Sequence, residues 1–155
     1  MLAGKWTASG RLLRAAAALV LLTVAASVGA IDNPDAPDRV GAFERRAAPL
    51  EQQLAATDGG SAAVRAGQAY NSFLDAELNT AYRMLLANLQ SPAREALVES
   101  QRQWLRFRNA EFRFIARHWT RERSGSSASL SAAAYRNALT KERVVQLLRY
   151  AAEYQ

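Results

Sequence analysis

Apolar and polar residues follow two regimes along this chain. Ala15–Ala26 (AAAALVLLTVAA) is a continuous apolar run of twelve. From residue 39 onward, apolar residues recur every three or four positions, the period of a helix buried on one side. No segment alternates as a half-buried strand would. Phe43, Ala47, Leu50 and Leu54 fit the helical period, but Pro49 falls among them. Proline inside a helix removes a hydrogen bond and crowds the preceding turn. The pattern therefore predicts an irregular leader over 31–48, then a short helix near 49–57, preceded by a turn or kinked segment. Thr57-Asp58-Gly59-Gly60-Ser61 stops it. A long helix is expected over 62–89, ending at Ser91-Pro92, and a second over 92–121, with Pro92 suited to its first turn. Ser124-Gly125-Ser126-Ser127-Ala128-Ser129 reads as a flexible loop, and 131–153 as a last helix. The expected fold class is all-α, a small bundle of two long antiparallel helices plus a short N-terminal and a C-terminal helix.

Angular positions at about 100° per residue refine the two long helices. On the second, Leu97, Trp104, Leu105, Phe107, Phe112, Ile115 and Trp119 share one wide apolar arc. Arg102, Arg106, Arg113 and Arg117 fall opposite it. Gln101, Arg108 and Glu111 break the pattern by lying inside the apolar arc, and on the first long helix Asp75 and Asn71 do the same, with Asn79 at its edge. A charge on a core face needs a partner, since an unpaired buried ion costs several kcal/mol. Asp75 and Arg108 are thus expected to meet across the helix pair, with Glu111 as a rival one turn away on the helix of Arg108. Asn79, Tyr82 and Gln101 would complete the hydrogen bonds around them and Trp104. If that pair is buried, removing either partner alone should cost about 3–5 kcal/mol. The cluster reads either as a satisfied network fixing helix register or as the lining of a surface groove.

Composition and charge change the picture at the N-terminus. The formal charge is +6, from 20 Lys+Arg against 14 Asp+Glu. Lys5, Arg11 and Arg14 precede the apolar run, no acid occurs before Asp32, and Val28-Gly29-Ala30 offers small residues to a signal peptidase. About 20 apolar residues are needed to cross a bilayer, so a run of twelve is too short. We expect a cleaved signal peptide over 1–30, cut near Ala30, and a periplasmic or secreted mature protein. Taking those three basic residues from 20 leaves 17 against 14 acids, a mildly basic, arginine-rich chain.

The chemistry available is narrow. There is no cysteine, so disulfides, Cys-ligated metals and thiol catalysis are excluded. The single histidine, His118, rules out a multi-histidine metal site. Asp75 and Glu77 are two residues apart and point about 200° away from each other on a helix. No glycine loop suits a phosphate, and the serines of 124–131 have no neighbouring base. No catalytic residue, cofactor or metal is expected, and export makes nucleic acid a poor partner.

The polar residues on the helices also carry a resemblance. Asp75-Ala-Glu77-Leu78-Asn79-Thr-Ala-Tyr82, followed by Ser100-Gln101-Arg102-Gln103-Trp104-Leu105-Arg106-Phe107-Arg108-Asn109-Ala110-Glu111, resembles the LprI-like lysozyme-inhibitor family. Leu139-Thr140-Lys141-Glu142-Arg143 is similar to that family's closing segment. The likeness covers about residues 65–150 and implies a small exported helical domain, here over 49–153, that binds a protein partner. It also implies that the family's usual cysteines are replaced here by Phe112 and Tyr135. Two touching aromatics would keep about 0.5–1.5 kcal/mol beyond area burial, against about 2–5 for a disulfide, leaving the stretch from Thr120 to Ser131 less restrained.

The resemblance points to lysozyme as candidate partner and to a plug as mechanism. A lysozyme cleft presents two carboxylates, and Thr120–Ser127 carries Arg121, Arg123, Ser124 and Ser126 to meet them. The alternative is a structural or adaptor protein using the arginine face of Arg102, Arg106, Arg113 and Arg117. That face reads either as plain solvated helix or as a surface for an acidic partner, anionic lipid or anionic cell-wall polymer.

Overall fold

The computed structural model describes residues 37–154; the expected signal peptide lies outside them. Helix α1 spans Arg39–Ala55, α2 Gly60–Asn88, α3 Ala93–His118 and α5 Ala128–Ala152. Between α3 and α5 lie a single turn, α4 (Arg121–Ser124), and a 3-10 turn over Gly125–Ser127. Among the described residues there is no strand, and no helix is long and apolar enough to cross a membrane.

Helix α1 corrects the expected leader and short helix: it starts ten residues before Pro49 and runs through it. Proline forfeits one backbone bond, whereas the Phe43, Ala47, Leu50, Leu54 stripe gives the helix a whole face against the core. Phe43 and Ala47 are completely buried. The start is set by Asp38, whose Oδ1 accepts the Gly41 amide at 2.6 Å. A Cβ at Gly41 would stand 1.9 Å from Asp38 Oδ2, so a side chain there would force the capping carboxylate to shift. The expected flexible loop is also corrected. Residues 121–127 are wound into two tight turns, and α5 begins at Ala128 rather than 131. Gly125, at φ +59°, makes the left-handed bend between the turns.

Cross-helix contacts give the topology. Arg46 pairs with Glu77 and Glu51 with Tyr70, so α1 is antiparallel to α2. Asp75 meets Arg108 while Leu86 meets Arg94, and Gln101 meets Arg143 while Phe112 meets Arg136, so α3 is antiparallel to α2 and to α5. Helices α2 and α5 therefore run parallel, and they form the most extensively packed pair. The two long helices adjacent in sequence, α2 and α3, touch far less. Leu74, Leu78 and Leu85 of α2 and Val144, Leu147, Leu148 and Ala151 of α5 fill the centre. Phe43 and Ala47 close it from α1, and Leu97 from α3.

One polar network crosses three helices at the rim. Glu51 Oε1 accepts from the Tyr70 hydroxyl and from Lys141 Nζ at 3.0 Å, and Lys141 also reaches Glu44 at 2.8 Å. The Tyr70 hydrogen bond, followed by Lys141, holds the Glu51 carboxyl below its ordinary pKa despite burial. Burial and the same hydrogen bond push the Tyr70 phenol up. Burial draws Lys141 down, but Glu44 and Glu51 outweigh it and leave its pKa raised. A carboxyl whose pKa falls on folding stabilises above the ordinary carboxylate range and ceases to do so as pH drops through it. Glu51→Gln is therefore expected to lower stability at pH 7 while flattening the loss between about pH 5 and 3, measured by urea unfolding across that range. A parallel downward shift at every pH would refute this.

Candidate functional site

The expected polar cluster is divided by the structure into two. Arg108 Nη1 approaches Asp75 Oδ1 at 3.4 Å, but Asp75 is half exposed and Arg108 one-fifth. That corrects the expectation of a buried pair. At such exposure the interaction is worth about 1 kcal/mol or less. Asn79 donates to the Asp75 backbone oxygen at 2.9 Å, while Tyr82 packs against the core, and Glu111 makes no hydrogen bond to Arg108.

Gln101 belongs to a second cluster that the sequence reading missed, because its partner lies 42 residues away on α5. Arg143 is 93% buried and has no carboxylate beside it. Its Nε and Nη2 donate to Gln101 Oε1 at 3.1 and 3.0 Å, Nη2 also to Ser100 Oγ at 3.3 Å, and Nη1 to Gln146 Oε1 at 2.5 Å. Burial lowers the pKa of this guanidinium, though an arginine stays charged throughout. Trp104 joins the two clusters, with Arg108 5.4 Å and Arg143 5.7 Å from its ring centroid, each a cation–π distance. The one available signal was the Leu139–Arg143 segment, which marks the arginine but not what it touches.

Phe112 and Tyr135, expected to touch, instead form ring contacts with different partners. Phe112 carries Arg108 at 5.5 Å and Arg136 at 5.6 Å, and Tyr135 stacks on Trp119 at 5.5 Å. At this end the α3–α5 junction is held by Trp119–Tyr135, about two turns beyond the position of Phe112.

Helix α3 departs most from the expected core. Its apolar arc is wider than the strip that α2 and α5 cover: Leu97, Gln101 and Ile115 are buried, but Phe107 is 50% and Phe114 59% exposed. Together with Tyr135 and Tyr150 of α5 they line a groove between the two helices. One half, of about 820 Å³, holds Trp104, Phe107, Arg143, Arg149 and Tyr150; the other, of about 410 Å³, holds Glu111, Phe114, His118, Trp119 and Tyr135. Leu139 and Glu142 line both halves, so the groove is continuous, cationic at one end and acidic at the other. His118 is exposed and packs against Phe114 and Trp119, at 5.5 and 5.1 Å between centroids.

At the acidic end the groove reaches the 121–127 turns. Trp119, Arg121, Gly125 and Ser126 border a shallow hollow there of about 440 Å³. Arg121, Arg123 and Ser126 are exposed, Ser124 is half-buried, and neither arginine makes an ion pair. On the opposite side of α3, Arg102, Arg106, Arg113 and Arg117 are all exposed. Glu99 lies 3.8 Å from Arg102 and 3.9 Å from Arg106, leaving Arg113 and Arg117 to solvent. Two surfaces are therefore open: an aromatic groove ending in an arginine-bearing turn, and a cationic stripe with Glu99 at one end. Exposed aromatics gathered in one groove are unusual on a helical surface and mark interaction sites more strongly than a charged helix face does. Among the described residues, no group of His, Asp and Glu is placed to hold a metal.

A sequence model of one family, described as lysozyme inhibitor LprI, matches residues 51–147. The match includes the groove except Arg149 and Tyr150, the 121–127 turns and the Gln101–Arg143 cluster. No curated protein and no solved structure gives a significant match.

Proposed function

The chain belongs to the LprI lysozyme inhibitor family, and from that premise we propose that it is an exported, non-catalytic protein that binds a lysozyme and occludes its cleft. The observation that carries this reading is the aromatic groove between α3 and α5 running into the Arg121/Arg123 turn. Half-exposed Phe and Tyr rings supply the apolar contact area that anchors an interface. The two unpaired arginines supply donors for the carboxylates that a glycosidase cleft presents. Glu111 and Glu142, at the same end, offer acceptors to the basic surface around such a cleft, a local complementarity that the net positive charge of the chain obscures. The exported address rests on the N-terminal pattern of basic residues, apolar run and small residues.

The test is a cell-wall lysis assay with an animal-type lysozyme and the purified protein, alongside a binding titration against a catalytically inactive lysozyme. Dose-dependent inhibition with stoichiometric binding is expected. Arg121→Glu with Arg123→Glu should weaken it at least tenfold, while Arg113→Glu with Arg117→Glu leaves it unchanged. The reverse pattern would move the partner to the arginine stripe and favour the adaptor reading.

A further inference from the structure

The cationic half of the groove holds charges that a single copy of the chain leaves unmatched. Lys141, Glu142, Arg143 and Arg149 line it. Lys141 is held by Glu44 and Glu51, at 2.8 and 3.0 Å, and Arg143 is enclosed by Gln101, Ser100 and Gln146. Glu142 and Arg149 differ from these two. Both are exposed, and among the described residues neither makes an ion pair or a side-chain hydrogen bond. They do not meet each other: seven residues along α5 put them on one face but about 10.5 Å apart. The surface around them is largely apolar. Phe107 is 50% and Tyr150 49% exposed, with Leu139 and Val145 half-buried beside them.

One free acid and one free base, two turns apart on such a face, make it complementary to itself. A two-fold axis crossing α5 at right angles near Val145 and Gln146 lays a second α5 antiparallel on the first. Glu142 of each copy then faces Arg149 of the other, so one operation pairs all four charges. The rings follow the same register. Trp104 lies beside Arg143, and α3 runs antiparallel to α5, so Phe107 stands toward the Leu139–Glu142 side of the hollow and Tyr150 at its Arg149 side. The operation therefore also carries Phe107 of each copy toward Tyr150 of the other. Charge pairing and apolar contact demand one and the same alignment.

We infer that the chain forms a two-fold symmetric homodimer through this half of the groove, with reciprocal Glu142–Arg149 pairs around a centre of Phe107 and Tyr150. A basic partner would meet the free Arg149 there, whereas a second copy brings it an acid. The inference goes beyond the lysozyme reading and does not rest on it. With the axis so placed, the second α5 ends opposite Leu139, which leaves Phe114, Trp119 and the 121–127 turns uncovered. Glu142, on the border of the two halves, is engaged by the second copy, and Glu111 remains the acid of the open end.

The test is sedimentation velocity of the purified protein across a concentration series. The mass should rise with concentration from that of one chain to that of two. Arg149→Glu alone and Glu142→Arg alone each set like charges at both reciprocal contacts and should weaken dimerisation by about tenfold or more. Mixing the two single variants restores opposite charges at both contacts, so the mixture should form heterodimers as tightly as the wild type pairs with itself. Glu142→Arg with Arg149→Glu in one chain should likewise recover the homodimer. The rescue separates a lost contact from a lost fold, because misfolded chains would not reassociate on mixing. A one-chain mass at every concentration, an assembly larger than two, a dimer indifferent to either charge reversal, or a mixture no tighter than its components would each overturn the inference.

Discussion

Alanine at position 43 is expected to cost about 3–5 kcal/mol of stability, read as a shift of the urea midpoint at unchanged slope. Phe43 is completely buried, and its ring lies 6.0 Å from that of Phe73 in a near-parallel stack. Ala47 is too small to fill the space, and Leu74 and Leu147 are already fully enclosed. The position lies before the segment that matches the family, which starts at residue 51. The result therefore also tests where the folded unit begins. A chain shortened to start at residue 49 would lose Phe43, Ala47 and the Arg46–Glu77 bridge together. It should unfold more readily than the point variant. A wild-type midpoint for Phe43→Ala would mean that α1 is not part of the cooperative core.

The second large effect concerns Arg143. Replacing it with alanine removes a buried stem packed beside Trp104, and it strands Gln101, itself 93% buried, without the donor its carbonyl now receives. Hydrogen bonds to a charged group are worth about 1.5–3 kcal/mol, and a stranded buried acceptor costs about 1–3. Relief of the desolvation that the guanidinium suffers offsets part of this, so Arg143→Ala should destabilise by about 2–4 kcal/mol. Arg143→Met with Gln101→Leu removes donor and acceptor together and keeps the volume, and it should recover most of that loss. Thermal melts of the single, paired and wild-type proteins decide the matter. Equal losses in the alanine and the paired variants would show that packing alone, and not the polar match, holds α3 to α5.

The sequence made the three later helices legible because their apolar spacing is long and uninterrupted. Gly59-Gly60 and Ser91-Pro92 bracket α2 closely, and α3 ends three residues short of its expected limit. Helix α1 was hidden by reading Pro49 as decisive, when one lost backbone bond is small beside a buried face of Phe43 and Ala47. Angular position set Gln101, Arg108 and Glu111 inside the apolar arc of α3, but it names a face and not a neighbour. Asp75 and Arg108 do approach each other. Gln101 turned to α5, because α3 packs against the C-terminal helix at that point rather than against its neighbour in sequence. Phe107 and Phe114 show the converse: their residue types suit a core, yet the bundle has no element left to cover them. The α2–α5 pairing could not be read from sequence at all, since it joins residues as far apart as Asn71 and Asn137, 66 positions along the chain.

That parallel pairing has a consequence for how the molecule comes to be. In an up-and-down bundle whose sequence neighbours pack most tightly, a hairpin of two helices can bury much of its apolar surface as soon as it is made. Here the largest partner of α2 is the last helix, and an emerging chain holding only α1 to α3 leaves Leu74, Leu78 and Leu85 without α5. Closing the centre requires a long loop to be brought together before any reward from contact, which slows folding relative to a bundle built from local pairs. The chain thus stays open until the twenty-five residues of α5 are available.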